Sequence, residues 1–193
     1  FGSRSHGASS PIILQMAAEA AGQCQVHPEA VVCSDAKVVG LAGVKIGQGT
    51  VVHPACRINA KAGPIEIGTF NIIEEQVEIT NTTAEPLVIG NHNTFEVGTK
   101  ILGDGSKIGD ANLFECKSQL GRGAIVSNGC TVGVGVAVPD REHLPDETVI
   151  IGPDGLRHHE QGATEAHVQA IMKHIEVLKE TLPRCHNLRK DKS

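Results

Sequence analysis

Large apolar residues recur through the middle of the chain at a step of six residues. Eighteen positions keep this register, with a few short insertions between them, although only 40% of all residues are apolar. A fixed short period of this kind is typical of a repeat architecture, in which each repeat packs on its neighbours. The eighteen positions are Val26, Val32, Val38, Ile46, Val52, Ile58, Ile67, Ile73, Ile79, Ile89, Phe95, Leu102, Ile108, Phe114, Leu120, Val126, Val132 and Val138.

Two other positions of the hexapeptide are also biased. Glycine often follows the large apolar residue directly, as in Ile46-Gly47 and Ile89-Gly90, which suits a tight corner. Four residues after the large apolar residue the side chain is usually small, which suits a cramped interior. The small residues expected inside are Ala30, Ala36, Ala42, Thr50, Cys56, Ala62, Thr99, Ser118, Ala124 and Cys130.

Three hexapeptides make one turn of a triangular prism, so eighteen repeats predict six turns of short parallel strands. This pattern resembles that of the left-handed parallel β-helix. It predicts an all-β fold, a β-helix of about six hexapeptide-repeat turns over residues 26–152. A β-sandwich is the alternative, but its strands would alternate with period two between turn signals about 8–12 residues apart.

The two ends of the chain lack the pattern. Residues 1–25 are rich in Gly, Ala and Ser and predict a flexible arm, in which Met16 is the candidate for the natural start. After Val138, the stretch Pro139–Pro145 predicts a break in the repeat. Residues 149–152 then predict a last half-turn of strand.

Residues 153–193 predict an α-helix followed by a tail. The helical period runs from Thr164, which we expect to cap the helix, to Leu182, and Pro183 follows its end. The apolar residues form one stripe, which favours packing on the same domain over packing on a partner. The stripe consists of Ile171, Met172, Ile175, Leu178 and Leu182.

Charge and composition exclude several classes of function. The net charge is −5 and the chain has no Trp or Tyr, so nucleic acid and anionic membranes are poor candidates as ligands. The six cysteines form no Cys-x-x-Cys pair. They therefore predict reduced core thiols in a cytoplasmic protein.

The histidines of the chain raise the alternative of an enzyme, because two enzyme classes with this fold use His residues. Trimeric acyltransferases use a His base, and carbonic-anhydrase-like enzymes bind zinc with three His. Counting hexapeptides places His27 on the first face of turn one, His53 on the second face of turn two and His92 beside the first face of turn four. These side chains do not converge as metal ligands must. We therefore predict no catalytic, cofactor-binding or metal-binding residue, and no cofactor.

The remaining candidates for chemistry have ordinary explanations. Histidines in or near the helix are expected on its solvated face, and the adjacent Glu74 and Glu75 are expected to be surface charge near a corner, because neighbouring strand residues point to opposite sides. The histidines concerned are His158, His159, His167 and His174.

Several longer segments resemble the β-helix subunits found at the pointed end of dynactin, the activator of dynein. The resemblance covers roughly residues 16–190, and its Ala-Gly-Pro and Phe-Glu-Val-Gly segments are more specific than the single hexapeptides. The segments that carry it are Val51–Pro54, Ala60–Gly68, Asn71–Glu75, Ile89-Gly90, Asn93–Gly98, Val149–Gly152, Leu156-Arg157 and Leu182-Pro183.

This resemblance implies a non-enzymatic interaction subunit that supports dynein-driven cargo transport on microtubules. The implied partners are dynactin subunit 5 and other pointed-end proteins, namely dynactin subunit 4 and an actin-related protein. The implied location is the cytoplasm and the cytoskeleton. We expect no nucleic-acid partner and no membrane insertion.

Overall fold

The computed structural model describes residues 24–189. The expected flexible arm, with Met16, lies outside the described residues, except that the first strand already begins at Cys24. The last four residues of the expected tail also lie outside them.

Sheet 1 runs the length of the molecule as seven parallel strands within residues 24–189. Its strands are β1 (Cys24–Val26), β4 (Val44–Ile46), β7 (Ile65–Ile67), β10 (Leu87–Ile89), β13 (Lys107–Ile108), β16 (Ile125–Val126) and β19 (His143–Leu144).

Sheet 2 has seven parallel strands in the described part of the chain, and an eighth, antiparallel strand at its end. Its strands are β2 (Val31–Val32), β5 (Val51–Val52), β8 (Ile72–Ile73), β11 (Thr94–Phe95), β14 (Leu113–Phe114), β17 (Thr131–Val132), β20 (Thr148–Ile151) and β21 (Leu156–His159).

Sheet 3 has six parallel strands in the same part of the chain and completes the prism. Because each strand pairs with strands one turn away, the architecture is a parallel β-helix of about six turns. The strands are β3 (Lys37–Val39), β6 (Arg57–Ala60), β9 (Glu78–Asn81), β12 (Lys100–Leu102), β15 (Gln119–Leu120) and β18 (Ala137–Val138).

The predicted interior is confirmed at nearly every repeat. Sixteen of the eighteen large apolar positions are buried and Val26 is partly buried. Their side chains stack from turn to turn, as Phe95 and Phe114 do with ring centroids 4.9 Å apart. Burial of each such side chain contributes about 1.5–3 kcal/mol to folding, so this continuous column is the main source of stability.

Two predicted inward positions are wrong. Leu102 is 42% exposed, whereas Ile101 is fully buried and pairs with Ile79 and Leu120. The extra residue of this repeat therefore follows Ile101. Ala62 is exposed because Gly63 takes the buried place, where a Cβ atom would collide with the Thr83 carbonyl oxygen.

The predicted break at Pro139–Pro145 is also wrong. The six-residue step continues through Leu144 and Ile150, which are both 1% exposed and lie on β19 and β20. The prediction fails because it treats Pro139 and Pro145 as the end of the strands. Both prolines occupy corners, where a missing backbone N–H removes no hydrogen bond between strands.

The C-terminal helix, α1 (Ala163–Cys185), begins and ends outside the predicted bounds. Gly162 precedes it with a φ of 85°, and no side chain of the described residues, Thr164 included, caps it. Pro183 lies inside its last turn and not after its end. α1 extends two residues beyond Pro183, to Cys185, and the proline therefore does not end the helix.

The apolar stripe of α1 packs on the protein's own β-helix, as predicted. It covers the outer surface of sheet 2 at Val31, Val51 and Ile72. A helix of 23 residues is roughly 34 Å long, which exceeds the height of seven strands, roughly 29 Å. The buried residues of the stripe are Ile171, Ile175, Leu178 and Leu182, and Met172 is half-buried.

Both ends of sheet 2 are covered by antiparallel chain. β21 pairs with β20 at one end. At the other end the segment after α1 runs along β2, where Ser34 N donates to Asn187 O and Arg189 N donates to Val32 O, each at 2.8 Å. The backbone of residues 187–189 is therefore paired with the first strand of sheet 2.

Candidate functional site

The histidines of the prism lie where the hexapeptide count places them. His27 follows β1 and His92 follows β10, so both lie at the corner between sheets 1 and 2, three turns apart, roughly 14 Å. His53 follows β5 at the corner between sheets 2 and 3. Within residues 24–189, no group of three or more His, Cys, Asp or Glu side chains is arranged to hold a metal ion.

His53 is the histidine whose contacts come nearest to those of a catalytic base. Its Nδ1 lies 2.8 Å from Oε1 of Glu75, as in a base oriented by a carboxylate. Its other ring nitrogen, Nε2, is buried and has no hydrogen-bond partner among the described residues. A substrate proton therefore has no access to the nitrogen that would accept it.

The contact with His53 also changes the pKa of the Glu75 carboxyl group. Burial raises its pKa, but the hydrogen bond from His53 and a backbone amide outweigh burial, so the pKa is lowered overall. Ionised Glu75 thus holds the His53 ring in place at the corner.

Asparagines form a ladder inside the corner between sheets 1 and 2. Asn71, Asn93 and Asn112 are fully buried on successive turns. Oδ1 of Asn71 accepts from the backbone and side-chain amides of Asn93 at 2.8 and 3.0 Å. Asn112 Oδ1 in turn accepts from Cys130 N at 2.7 Å. These buried amides are hydrogen-bonded to the interior and are not directed at a ligand.

A second ladder runs along the outside of the same corner. The side chains of Asn91, Asp110, Asn128 and Asp146 each accept a hydrogen bond from the backbone amide one turn below, at 2.7–2.8 Å. This column satisfies corner amides that the strands leave unpaired. Its carboxylates are therefore structural.

Glutamates play the same part at the corner between sheets 2 and 3. Oε2 atoms of Glu74, Glu96 and Glu115 accept from the backbone amides of Val97, Cys116 and Val134. Burial and the neighbouring Glu96 raise the pKa of Glu74. The interpretation of Glu74 as plain surface charge is therefore wrong, because its side chain is half-buried and hydrogen-bonded.

Five cysteines are free thiols in the part of the chain that the structure describes, namely Cys33, Cys56, Cys116, Cys130 and Cys185. Cys56 and Cys130 lie inside the prism, as their repeat positions predict. Burial raises the pKa of Cys56 to about 12, which leaves it protonated and unreactive at neutral pH.

His167 departs from the expected solvated face of the helix. Burial lowers its pKa, and its Nε2 is buried without a hydrogen-bond partner in the described structure. It lies against the corner that carries His92 and Asn112. The other three histidines of this region are exposed, as predicted: His158, His159 and His174.

Among the described residues, α1 covers sheet 2 and no element covers sheets 1 and 3, which are the two open faces of the prism. On sheet 1, Lys45 pairs with Glu66 at 3.2 Å beside the exposed Val88. On sheet 3, Arg57 and Lys100 flank Glu78 in register. No helix of the described residues is long and apolar enough to span a membrane.

Comparisons with known proteins decide the family. The chain is 39% identical over 180 residues to dynactin subunit 6 of Xenopus tropicalis, which covers 88% of this chain and 86% of the relative. It is 40% identical over 171 residues to dynactin subunit 6 of Nematostella vectensis, with 83% and 89% covered. The chain belongs to the dynactin subunit 6 family. Its Dictyostelium discoideum member is 34% identical over 166 residues, with 84% and 86% covered.

Solved structures support the fold of this dynactin subunit 6 family member. A hexapeptide transferase family protein from Anaplasma phagocytophilum superposes with a TM-score of 0.73 at 15% identity, covering 83% of this chain and 94% of that protein. A Bacillus cereus protein proposed to be an acetyltransferase gives 0.57 at 14%, covering 82% and 91%. These identities show the left-handed hexapeptide-repeat fold alone. No family model matches the sequence.

Proposed function

We propose that this protein is a non-enzymatic interaction subunit of dynactin that supports dynein-driven cargo transport on microtubules. The observation that carries the proposal is the 39–40% identity to dynactin subunit 6 proteins across 83–88% of the chain. Identity of this extent covers the prism and is not confined to the generic apolar positions of the repeat.

The chemistry of the corners supports a non-enzymatic role. Polar side chains that could serve catalysis are engaged in holding turns together, as Asn93, Asp110 and Glu96 are. Nε2 of His53 is enclosed. Only the fold supports the alternatives of an acyltransferase or a carbonic-anhydrase-like enzyme. A fold does not determine function, because this one occurs in enzymes and in scaffold proteins.

The partners in this proposal are dynactin subunit 5, dynactin subunit 4 and an actin-related protein, within a cytoplasmic complex on the cytoskeleton. Sheet 1 ends at β19, and sheet 3 ends at β3 and β18, whose outer edges pair with no further strand within the described residues. Such edges favour pairing with another chain. The two open faces offer further contact area.

Co-expression with dynactin subunit 5, followed by size-exclusion chromatography at micromolar concentration, tests the proposal. We expect the two proteins to elute together. The control is the Anaplasma hexapeptide transferase family protein, which shares the fold at 15% identity and should elute separately. Elution of this protein and subunit 5 as independent monomers would argue against an interaction subunit.

A further inference from the structure

A groove on sheet 3 combines an open surface with positive charge. It has a volume of about 550 Å³ and follows the prism axis through four turns, between a corner column and a strand column. The corner column consists of Ala55, Gln76, Gly98 and Lys117, and the strand column of Arg57, Glu78, Lys100 and Gln119.

The charge in this groove opposes that of the whole chain. Three of its residues are cations and one is an anion, in a protein of net charge −5. Glu78 is engaged, because its carboxylate lies 3.7 Å from Arg57. Lys100 and Lys117 are exposed and make no ion pair within residues 24–189. Their ammonium groups are therefore available to a partner.

The nearby carboxylates of Glu96 and Glu115, at the same corner, make no ion pair with these lysines within residues 24–189. Oε2 atoms of Glu96 and Glu115 are engaged with the backbone amides of Cys116 and Val134, each at 2.9 Å. These two carboxylates keep their charge, but backbone amides and not the lysines hold them in place.

The groove also has the dimensions of an extended peptide. Strands of successive turns lie about 4.8 Å apart, so four turns span roughly 14 Å, which equals about four residues of extended chain at about 3.3 Å each. The floor is a sheet whose strands are already paired on both sides, so side-chain charge would decide what binds.

We propose that this groove is the docking site for an extended acidic segment of a partner protein, with its carboxylates on Lys100 and Lys117. The proposal rests on the proposed function, in which the protein binds other proteins, and it names the surface and the kind of partner. The other open face, sheet 1, also carries lysines. There Lys45 already pairs with Glu66, so its ammonium group is not available to a partner as those of Lys100 and Lys117 are.

Fluorescence anisotropy with a labelled octaglutamate peptide, at 50 mM and 150 mM salt, tests the site on the full chain. We expect measurable binding that weakens with salt and falls at least about tenfold in the double variant K100E/K117E. The control K45E/K107E makes the same change of net charge on sheet 1 and should alter binding less than about twofold.

Equal losses in both double variants, or no binding of the peptide at millimolar concentration, would overturn the site. Binding of phosphatidylserine vesicles through the same two lysines, in preference to the peptide, would also overturn it. Co-elution of the wild-type protein with dynactin subunit 5 is measured separately. Failure there with intact peptide binding would count against the proposed function and leave the groove standing.

Discussion

Asn93 and Asn112 are joined by two hydrogen bonds inside the prism. Oδ1 of Asn93 accepts from the backbone amide of Asn112 at 2.9 Å and from its side-chain amide at 3.0 Å. The side-chain amide of Asn93 meanwhile donates to Asn71 and to the Gly109 carbonyl oxygen. One side chain therefore hydrogen-bonds to buried groups on the turn before and the turn after its own.

Asn93→Ala should lower the free energy of unfolding by about 3 kcal/mol, because it leaves several buried polar groups without partners. The control Asn91→Ala removes a rung of the outer ladder, where water can replace the lost acceptor, and should cost about 1 kcal/mol. Urea unfolding measures both. Equal losses would contradict the difference in burial between the two ladders.

The register of the fourth turn is tested by two adjacent residues. Ile101→Asp should cost more than about 3 kcal/mol, since it buries an unpaired charge, whereas Leu102→Asp should stay within about 0.5 kcal/mol of wild type. Thermal melting with circular dichroism measures both. A larger loss of stability for Leu102→Asp would show that Leu102, and not Ile101, points inward, as the sequence alone predicted.

The two adjacent glutamates should respond oppositely to loss of charge. The pKa of Glu74 is raised by burial and by Glu96, so its carboxylate destabilises the fold above that pKa, and Glu74→Gln should raise the melting temperature at pH 7. The pKa of Glu75 is lowered overall, so Glu75→Gln should lower the melting temperature. As the pH falls, the Glu74→Gln difference should shrink first and the Glu75→Gln difference only at more acidic pH, because the two pKa values are shifted in opposite directions.

His167 should make the fold sensitive to mild acid. Burial, and to a smaller extent nearby His92, lowers its pKa in spite of the Asn112 carbonyl oxygen. The unfolded chain then binds the proton more tightly, so stability falls as the pH drops through about 6.5. His167→Phe should flatten this dependence between pH 7.5 and 5.5 in urea unfolding. The exposed His174→Phe should leave it unchanged.

Thiol reactivity should follow burial. Cys185 is exposed, whereas Cys33 and Cys56 are fully buried and burial raises the pKa of both. Iodoacetamide at pH 7.5 should therefore label Cys185 first in mass spectrometry of the folded protein, and all six cysteines only in guanidinium. Early labelling of Cys56 would show that the prism opens at its second turn.

The hexapeptide period was sufficient to predict the prism because strands β2 to β20 each have a buried residue that faces the interior. It could not place Leu102, since Ile101 is equally apolar and only the pairing with Ile79 separates them. Nor did it predict the inner ladder. Asn71, Asn93 and Asn112 fall on the position expected to hold small residues, and this recurrence of one residue type was the available signal.

The surface charges were harder to predict than the core. Glu74 and His167 are polar residues that the fold half-buries, and their partners lie about one turn away or on another element. A sequence period locates residues along one strand, but it does not say which backbone amide on the next turn a long side chain will reach.

Helix α1 joins the two covered ends of sheet 2 and has a mechanical consequence. A linear array of repeats ordinarily frays from its ends, since each repeat contacts only its neighbours. Here the last turn is tied to the first through a continuous helix, and Asn187–Arg189 closes on β2. Fraying at either end therefore requires release of the other. The molecule should behave as a closed ring of contacts, with amide exchange in the terminal turns of sheet 2 nearly as slow as at its centre.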